Sequence, residues 1–358
     1  MSLSIGIVGL PNVGKSTLFN ALTSNNVLAA NYPFATIEPN TGVVAVPDER
    51  LLELSKIYSS EKIVPSTVDF VDIAGLVAGA SKGEGLGNQF LSHVRSTNAI
   101  CHVVRAFEND NIVHVDEKHN PKKDIDIINT ELVLADLQTV ENRLPKLQKE
   151  AKANPKLKSQ VEQLNRIHNL LNEGTPLFSA KDIDFDLISD LHLLTAKPTI
   201  YLFNIDENGL IDKDLQSSLA DLVAPSQALF VCAELENQLK DLDGNDAAEL
   251  LESYGQKESG LVKLIHAAYD VLGLQSYLTA GPKEVRSWTI KKGSTAPQAA
   301  GVIHGDFERG FIAAEIVCYQ DLIDAGTLVN ARSLGKVRTE GKDYIMKPGD
   351  VVDFRFNV

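Results

Sequence analysis

Gly9-Leu10-Pro11-Asn12-Val13-Gly14-Lys15-Ser16 sets two glycines, a lysine and a hydroxyl at the spacing of a phosphate-binding loop, GxxxxGK[ST]. The chemistry such a loop offers is neutralisation of a polyphosphate. Backbone N–H groups of Asn12, Val13, Gly14, Lys15 and Ser16 would wrap the phosphates, with Thr17 next in the first turn. Lys15 would reach the terminal phosphates, and the Ser16 hydroxyl would ligate Mg²⁺. Asp72-Ile73-Ala74-Gly75 has the form DxxG. A carboxylate there holds Mg²⁺ through a water, and the Gly75 N–H contacts the terminal phosphate. Thr36 is a candidate second hydroxyl ligand of the metal, although an ordinary loop threonine reads the same way. Five glycines between 75 and 87 predict a segment that orders on the γ-phosphate. A chain with these parts is expected to bind a nucleoside triphosphate.

Two positions depart from a standard GTPase site. The NKxD element that recognises guanine is here Asn204-Ile205-Asp206-Glu207, so the ring-covering lysine is replaced by Ile205 and the carboxylate sits on Glu207. Adenine offers a carboxylate one donor at N6, where guanine offers two, so the guanine advantage is expected to weaken. Cys232-Ala233-Glu234 takes the place of the second base-lining loop. Leu76 stands where many GTPases use a glutamine to orient water, and leucine has no hydrogen-bonding group. The water must then be oriented by another group, with His93, His102 and His114 as candidates. His102 alternates within a strand and also reads as a structural histidine; His93 falls on a helix face. Asn12 is either a loop-shaping residue or a ligand for K⁺ bridging the phosphates.

Apolar runs at 4–8, 43–46, 68–73, 99–106, 199–203 and 228–232 alternate with helical patterns. They predict an α/β fold with a doubly wound, mostly parallel sheet, and the phosphate loop leaves the end of its first strand. The rhythm stops between 107 and 197, where Leu137, Val140, Leu144 and Leu147, then Leu157, Val161, Leu164 and Leu171, recur at helical spacing. An inserted antiparallel hairpin joined near 152–155 accounts for both series, with Pro145 expected to kink or end the first helix. After Gly273, strands at 285–290, 312–317 and 351–356 separated by turn signals predict a small β-rich module.

In 358 residues, 44% of them apolar, there is material for two or three cores. No run reaches the ~20 apolar residues of a membrane span, and a soluble cytoplasmic protein is expected, with no membrane partner. Cys101, Cys232 and Cys318 lie far apart in apolar surroundings and read as reduced, buried thiols. The net charge of −14 argues against indiscriminate nucleic-acid binding, and sequence-specific DNA is not an expected partner. Residues 275–358 nevertheless carry eleven Lys and Arg against ten Asp and Glu, a balance of +1 that leaves −15 for the rest. Lys291-Lys292 and the group Arg332, Lys336, Arg338 are candidate RNA contacts, or plain solvated turns.

The segments 9–23, 31–51, 72–95, 102–115, 204–207 and 347–358 together resemble the YchF family of Obg-like ATPases, and the likeness runs over essentially the entire chain. The resemblance implies a nucleotide domain over 1–273, interrupted by a helical insertion at 124–195, and a C-terminal TGS domain of β-grasp fold at 274–358. It implies ATP in preference to GTP through Asn204 and Glu207, a hydrophobic residue in place of the catalytic glutamine at Leu76, and a hydrolytic role for His114. Mg²⁺ and the ribosome are the implied cofactor and partner. Ala35 stands where some members have cysteine, so a thiol switch proposed for those members does not transfer. The expected function is a slow, ribosome-associated ATPase acting as a nucleotide-dependent switch. A GTP-specific translational GTPase and a non-catalytic adaptor are the alternatives.

Overall fold

The computed structural model describes residues 3–24, 40–73, 86–108, 120–180, 183–240 and 242–357. They divide into two compact units, 1–43 with 69–264, and 44–68 with 265–358. The first unit is built on a six-stranded sheet. Its strands are β1 (Ser4–Val8), β2 (Thr41–Ala45), β4 (Thr67–Asp72), β5 (Ala99–Arg105), β6 (Thr199–Asn204) and β7 (Gln227–Val231), in the order β2-β4-β1-β5-β6-β7. From β4 to β7 every neighbour is parallel. β2 runs antiparallel, since the N–H of Asp72 bonds the carbonyl of Asn40 and that of Val46 bonds Ser66. All seven residues of β5 are buried, the mark of a strand covered on both faces. Because β1 pairs with β4 on one side and β5 on the other, the sheet order reverses there and opens a crevice at the C-terminal strand ends. Helix α1 (Lys15–Ser24) begins in that crevice.

α3 (Leu86–Ser96) leads into β5, and α4 (Pro121–Ala153) and α5 (Lys158–Asn172) form the inserted hairpin. Asn120 caps α4 by accepting the N–H of Lys123, with Pro121 at the position where its missing N–H costs nothing. Val140 and Leu147 interlock with Leu164, Ile167 and Leu171, each buried. α4 does not end at Pro145 but continues to Ala153. Pro145 lies on the exposed side, and the packing of Val140 and Leu147 on either side of it outweighs one lost backbone bond.

The hairpin is fastened to the sheet by buried ionisable groups. Asp136, fully buried in α4, accepts from the N–H groups of Leu194 (2.8 Å) and Thr195 (2.7 Å) and from the Thr195 hydroxyl (2.7 Å). Burial pushes its carboxyl up, against the pull of those bonds. Lys197 donates to the carbonyls of Val94 (2.9 Å), Arg95 (2.8 Å) and Thr97, closing the C-terminal end of α3, and burial pulls its ammonium down to about 8. Leu194 and Thr195, which Asp136 holds, and Lys197 itself sit just before β6, so the chain re-enters the sheet at a fixed point.

The second unit also has a six-stranded sheet, in the order 338–340, 311–318, 350–356, 274–280, 285–291 and 63–64. β3 (Ile63–Val64) comes from the early segment, with α2 (Arg50–Tyr58) just before it. The rest are β8 (Leu274–Ala280), β9 (Val285–Lys291), β10 (Phe311–Cys318), β11 (Arg338–Glu340) and β12 (Asp350–Phe356). The β8–β9 and β10–β12 pairs are antiparallel and β12 is parallel to β8, a β-grasp arrangement with α11 (Ala296–Ile303) among its connections. Two apolar clusters fill it. One gathers Tyr277, Phe311 and Phe354; the other joins Leu51 and Leu54 of α2 to Leu278, Val317 and Val351. Buried hydroxyls add a polar seam, Ser66 bonding Ser276 (3.0 Å) and Ser287 (2.8 Å). The linear boundary at 274 does not capture this membership of 44–68.

Cys101 and Cys232 are buried as expected, but Cys318 is exposed at the last position of β10. Alternation puts it on the face of buried Ile316, but it ends the strand and caps the helix Tyr319–Ala325, so its thiol reaches solvent where the chain leaves the sheet. No helix among the described residues is long and apolar enough to cross a membrane.

Replacing Asp136 with Ala strands three donors in a dry site, which should cost about 3 kcal/mol of stability, while Asp136→Asn should cost less. Equilibrium unfolding in urea measures both. A loss below about 0.5 kcal/mol for the alanine variant, the level of an ordinary surface change, would remove Asp136 as an anchor.

Candidate nucleotide site

The turn between β1 and α1 is shaped by backbone conformations that few side chains tolerate. Asn12 has φ 61° and Gly14 φ 101°, left-handed positions that give the loop a concave, anion-binding face. Gly14 could not be another residue on steric grounds either: a Cβ there would lie 2.6 Å from Nδ2 of Asn204. That amide nitrogen donates to the Val13 carbonyl at 3.1 Å, and the Asn204 side-chain oxygen accepts the N–H of Ala233 at 3.2 Å. Asn204 is 4% exposed, so one buried side chain at the end of β6 ties the phosphate loop to the start of α8 (Ala233–Leu239).

Lys15 opens α1 and folds back over the loop, its Nζ donating to the Leu10 carbonyl at 2.6 Å. Burial pulls its ammonium down to about 8, partly opposed by the charge of Asp72. Asp72, the last residue of β4, accepts a hydrogen bond from the Ser16 hydroxyl. Burial raises its carboxyl above the usual range, and Lys15 and Ser16 hold that rise back. Lysine, hydroxyl and carboxylate thus meet at one strand end. Thr17 is exposed in the first turn of α1. Ser16 and Asp72 supply oxygen donors only, a set that suits Mg²⁺, with phosphates and water left to complete its shell. Among the described residues no group of three or more His, Cys, Asp or Glu side chains could hold a metal ion alone. Thr36, Gly75, Leu76 and His114 lie outside the described residues.

The other histidines separate clearly. His102 is buried in β5 with its ring 5.2 Å from that of Tyr201, and burial pulls it down to about 3. It is a neutral, buried core residue. His93 is exposed on α3.

On the base side, Ile205 is 2% exposed and packs into the core with Phe203 and Leu235, so nothing at this position covers a base as lysine would. Asp206 caps α6 (Glu207–Ile211), accepting the N–H of Gly209 at 2.8 Å. Glu207 is half-buried and accepts a hydrogen bond from the hydroxyl of Tyr254 at 2.9 Å. Cys232 is buried just before α8, its thiol pushed up by burial, and Glu234 is exposed. Glu236 belongs to the scaffold instead, accepting the N–H of Gly260 at 2.6 Å. Tyr254 carries no motif and stands 47 residues from Glu207, so sequence spacing had no means of pairing them.

Residues 4–136 match the family described as "50S ribosome-binding GTPase", and residues 274–357 match the YchF-GTPase_C family, described as "Protein of unknown function (DUF933)". The chain is 49% identical to the ribosome-binding ATPase YchF of Bacillus subtilis (strain 168), with 100% of each chain covered. It is 51% identical to the ribosome-binding ATPase YchF of Pasteurella multocida (strain Pm70), again over 100% of both. The solved structure of the Schizosaccharomyces pombe YchF GTPase superposes with a TM-score of 0.87 at 42% identity, covering 99% of this chain and 98% of that one. With likeness sustained over the full length of both relatives and across both units, the chain belongs to the YchF family.

Proposed function

We propose that the protein binds ATP and hydrolyses it slowly to ADP and phosphate, as a nucleotide-dependent switch on the ribosome. The observation that carries this reading is the meeting of Lys15, Ser16 and Asp72 in a loop locked to the base side by Asn204. The names of relatives at about half identity over full length support ribosome binding and ATP. Lys15 and the loop N–H groups hold the phosphates. Asn204 keeps the loop in register, and Glu207 faces the base with Cys232, Ala233 and Glu234 beside it. Mg²⁺, held by Ser16 and Thr36 and indirectly by Asp72, would supply charge neutralisation when bound. His114 would orient water in place of the glutamine that Leu76 replaces. Asn12, if it held K⁺, would make turnover fall when Na⁺ replaces K⁺.

Of the C-terminal cations proposed to meet RNA, several already have acidic partners. Arg332 pairs with Glu315 and Lys336 with Asp321, both at 3.0 Å, and Arg338 with Glu340 at 3.4 Å. Lys292 pairs with Asp270 at 3.0 Å. A phosphate contact at these positions has to exchange one partner for another, which lowers its net worth.

Phosphate release with ATP and with GTP, with and without ribosomes, tests the reading. ATP turnover that ribosomes change is expected; GTP alone as substrate would favour a translational GTPase, and no turnover an adaptor. His114→Ala should lower single-turnover hydrolysis about 100-fold and leave ATP affinity nearly unchanged, because its role exists only as water attacks. Equal hydrolysis in the variant would move the role to another group.

Lys15 also predicts a pH dependence. In the free protein it begins to lose its proton near 8, whereas bound polyphosphate favours the charged form. Binding must therefore take up a proton above that pH, and affinity should fall by up to about tenfold per pH unit there. Calorimetric titrations in buffers of different ionisation enthalpy would detect the uptake. A flat affinity across this range would mean that Lys15 stays protonated in the free protein.

A further inference from the structure

Glu207 has two carboxylate oxygens, and one of them is already engaged by a side chain that no motif contains. The hydroxyl of Tyr254 donates to Oε2 at 2.9 Å, and that bond holds the Tyr254 hydroxyl proton above its ordinary range, which fixes the tyrosine as donor. We infer that Tyr254 is a specificity-determining positioning residue: by engaging one oxygen of Glu207 it leaves one stronger and one weaker acceptor for the base, a difference that costs guanine, with two donors to pair, more than adenine, with one. The inference rests on Glu207 facing the base.

The chemistry is an inventory of donors and acceptors. Guanine presents two donors on its Watson–Crick edge, N1–H and N2–H, and rewards a carboxylate with both oxygens free. Adenine presents one donor, N6–H, beside an acceptor, N1. Against adenine a second free oxygen would face the N1 lone pair and repel it, so a tyrosine donor on that oxygen reduces the conflict. Against guanine the same bond leaves one base N–H to share an oxygen that already accepts the tyrosine proton, a weaker pairing that lowers the guanine advantage. Lengthening the side chain from Asp to Glu does not accomplish this by itself, because a free glutamate can still fork.

The tyrosine is held firmly enough to act this way. It closes α9 (Gly244–Ser253), its N–H bonding the Leu251 carbonyl at 3.1 Å, and its ring packs against the core that contains Ile205, Leu210 and Leu235. The next turn is stapled to α6, with the Gln256 side chain donating to the Leu210 carbonyl at 3.3 Å and accepting from Lys263 at 2.7 Å. The hydroxyl therefore arrives from a different stretch of chain but in a fixed position.

The test is a competition titration of ATP and GTP against a fluorescent nucleotide, on wild type, Tyr254→Phe, Glu207→Ala and the double variant, with thermal unfolding run in parallel. Tyr254→Phe keeps the ring and its packing, so the unfolding midpoint should hold while the ratio of ATP to GTP affinity moves about tenfold toward GTP. That movement should vanish in the Glu207→Ala background, since there is no carboxylate left to release. If Glu207→Ala alters the ratio and Tyr254→Phe does not, the role of Tyr254 is overturned and the base-site reading survives. If Glu207→Ala leaves both affinities unchanged, Glu207 does not face the base and both fall. A Tyr254→Phe shift that persists without Glu207 would likewise overturn the inference, because it would then act by packing.

Discussion

The side-chain amide of Asn204 is the constraint on which the nucleotide site depends. It is buried at the end of a central strand, where it must satisfy both its donor and its acceptor, and it does so with two different loops. Its nitrogen fixes the carbonyl of Val13, and its oxygen fixes the N–H of Ala233. The requirement for glycine at position 14 follows, because the amide occupies the space a Cβ would need. The glycine-rich loop after β1 and the start of α8 are thereby set at one distance from each other, whatever the surrounding helices do. The sheet supplies the rest, since β6 and β7 are in parallel register up to Asn204 and Val231.

Around that amide the site keeps its charges under tension. Lys15 loses hydration, Asp72 does as well, and each offsets part of the other's penalty. A polyphosphate entering the loop meets a cation already stripped of water, which strengthens the attraction it can offer. His102 feels the same cation and the same burial and stays neutral, so the strand beneath the loop adds no further charge.

Much of this was legible because it is local. The phosphate loop, the Asp72 strand end and the six strands of the first sheet follow from short motifs and apolar runs whose physical meaning lies within ten residues. The helical hairpin was readable from spacing alone, since Val140, Leu147, Leu164 and Leu171 form the seam that their periodicity predicts. What escaped is long-range. No periodicity announces that Asp136 will accept the N–H of Leu194, 58 residues on, or that Tyr254 will meet Glu207. Pro145 misled because its local penalty is real but small beside the packing around it. Cys318 misled because it is the last residue of its strand, where the chain leaves the buried face of Ile316 to enter the next helix.

The membership of 44–68 in the C-terminal unit has a consequence for how the chain is made. Ser66 bonds Ser276 and Ser287, 210 and 221 residues later, and Leu51 and Leu54 share a cluster with Val351. Vectorial synthesis exposes this early segment long before its partners exist, for roughly 10–40 s at ordinary elongation rates. The entropy of closing so long a loop grows only logarithmically, so the final fold loses little by it. The delay falls instead on the nascent chain, in which α2 carries an unpaired apolar face until its C-terminal partners are made. Folding of the β-grasp unit is therefore gated by completion of the polypeptide, and a fragment cut at its linear boundary would lack one wall of its own core.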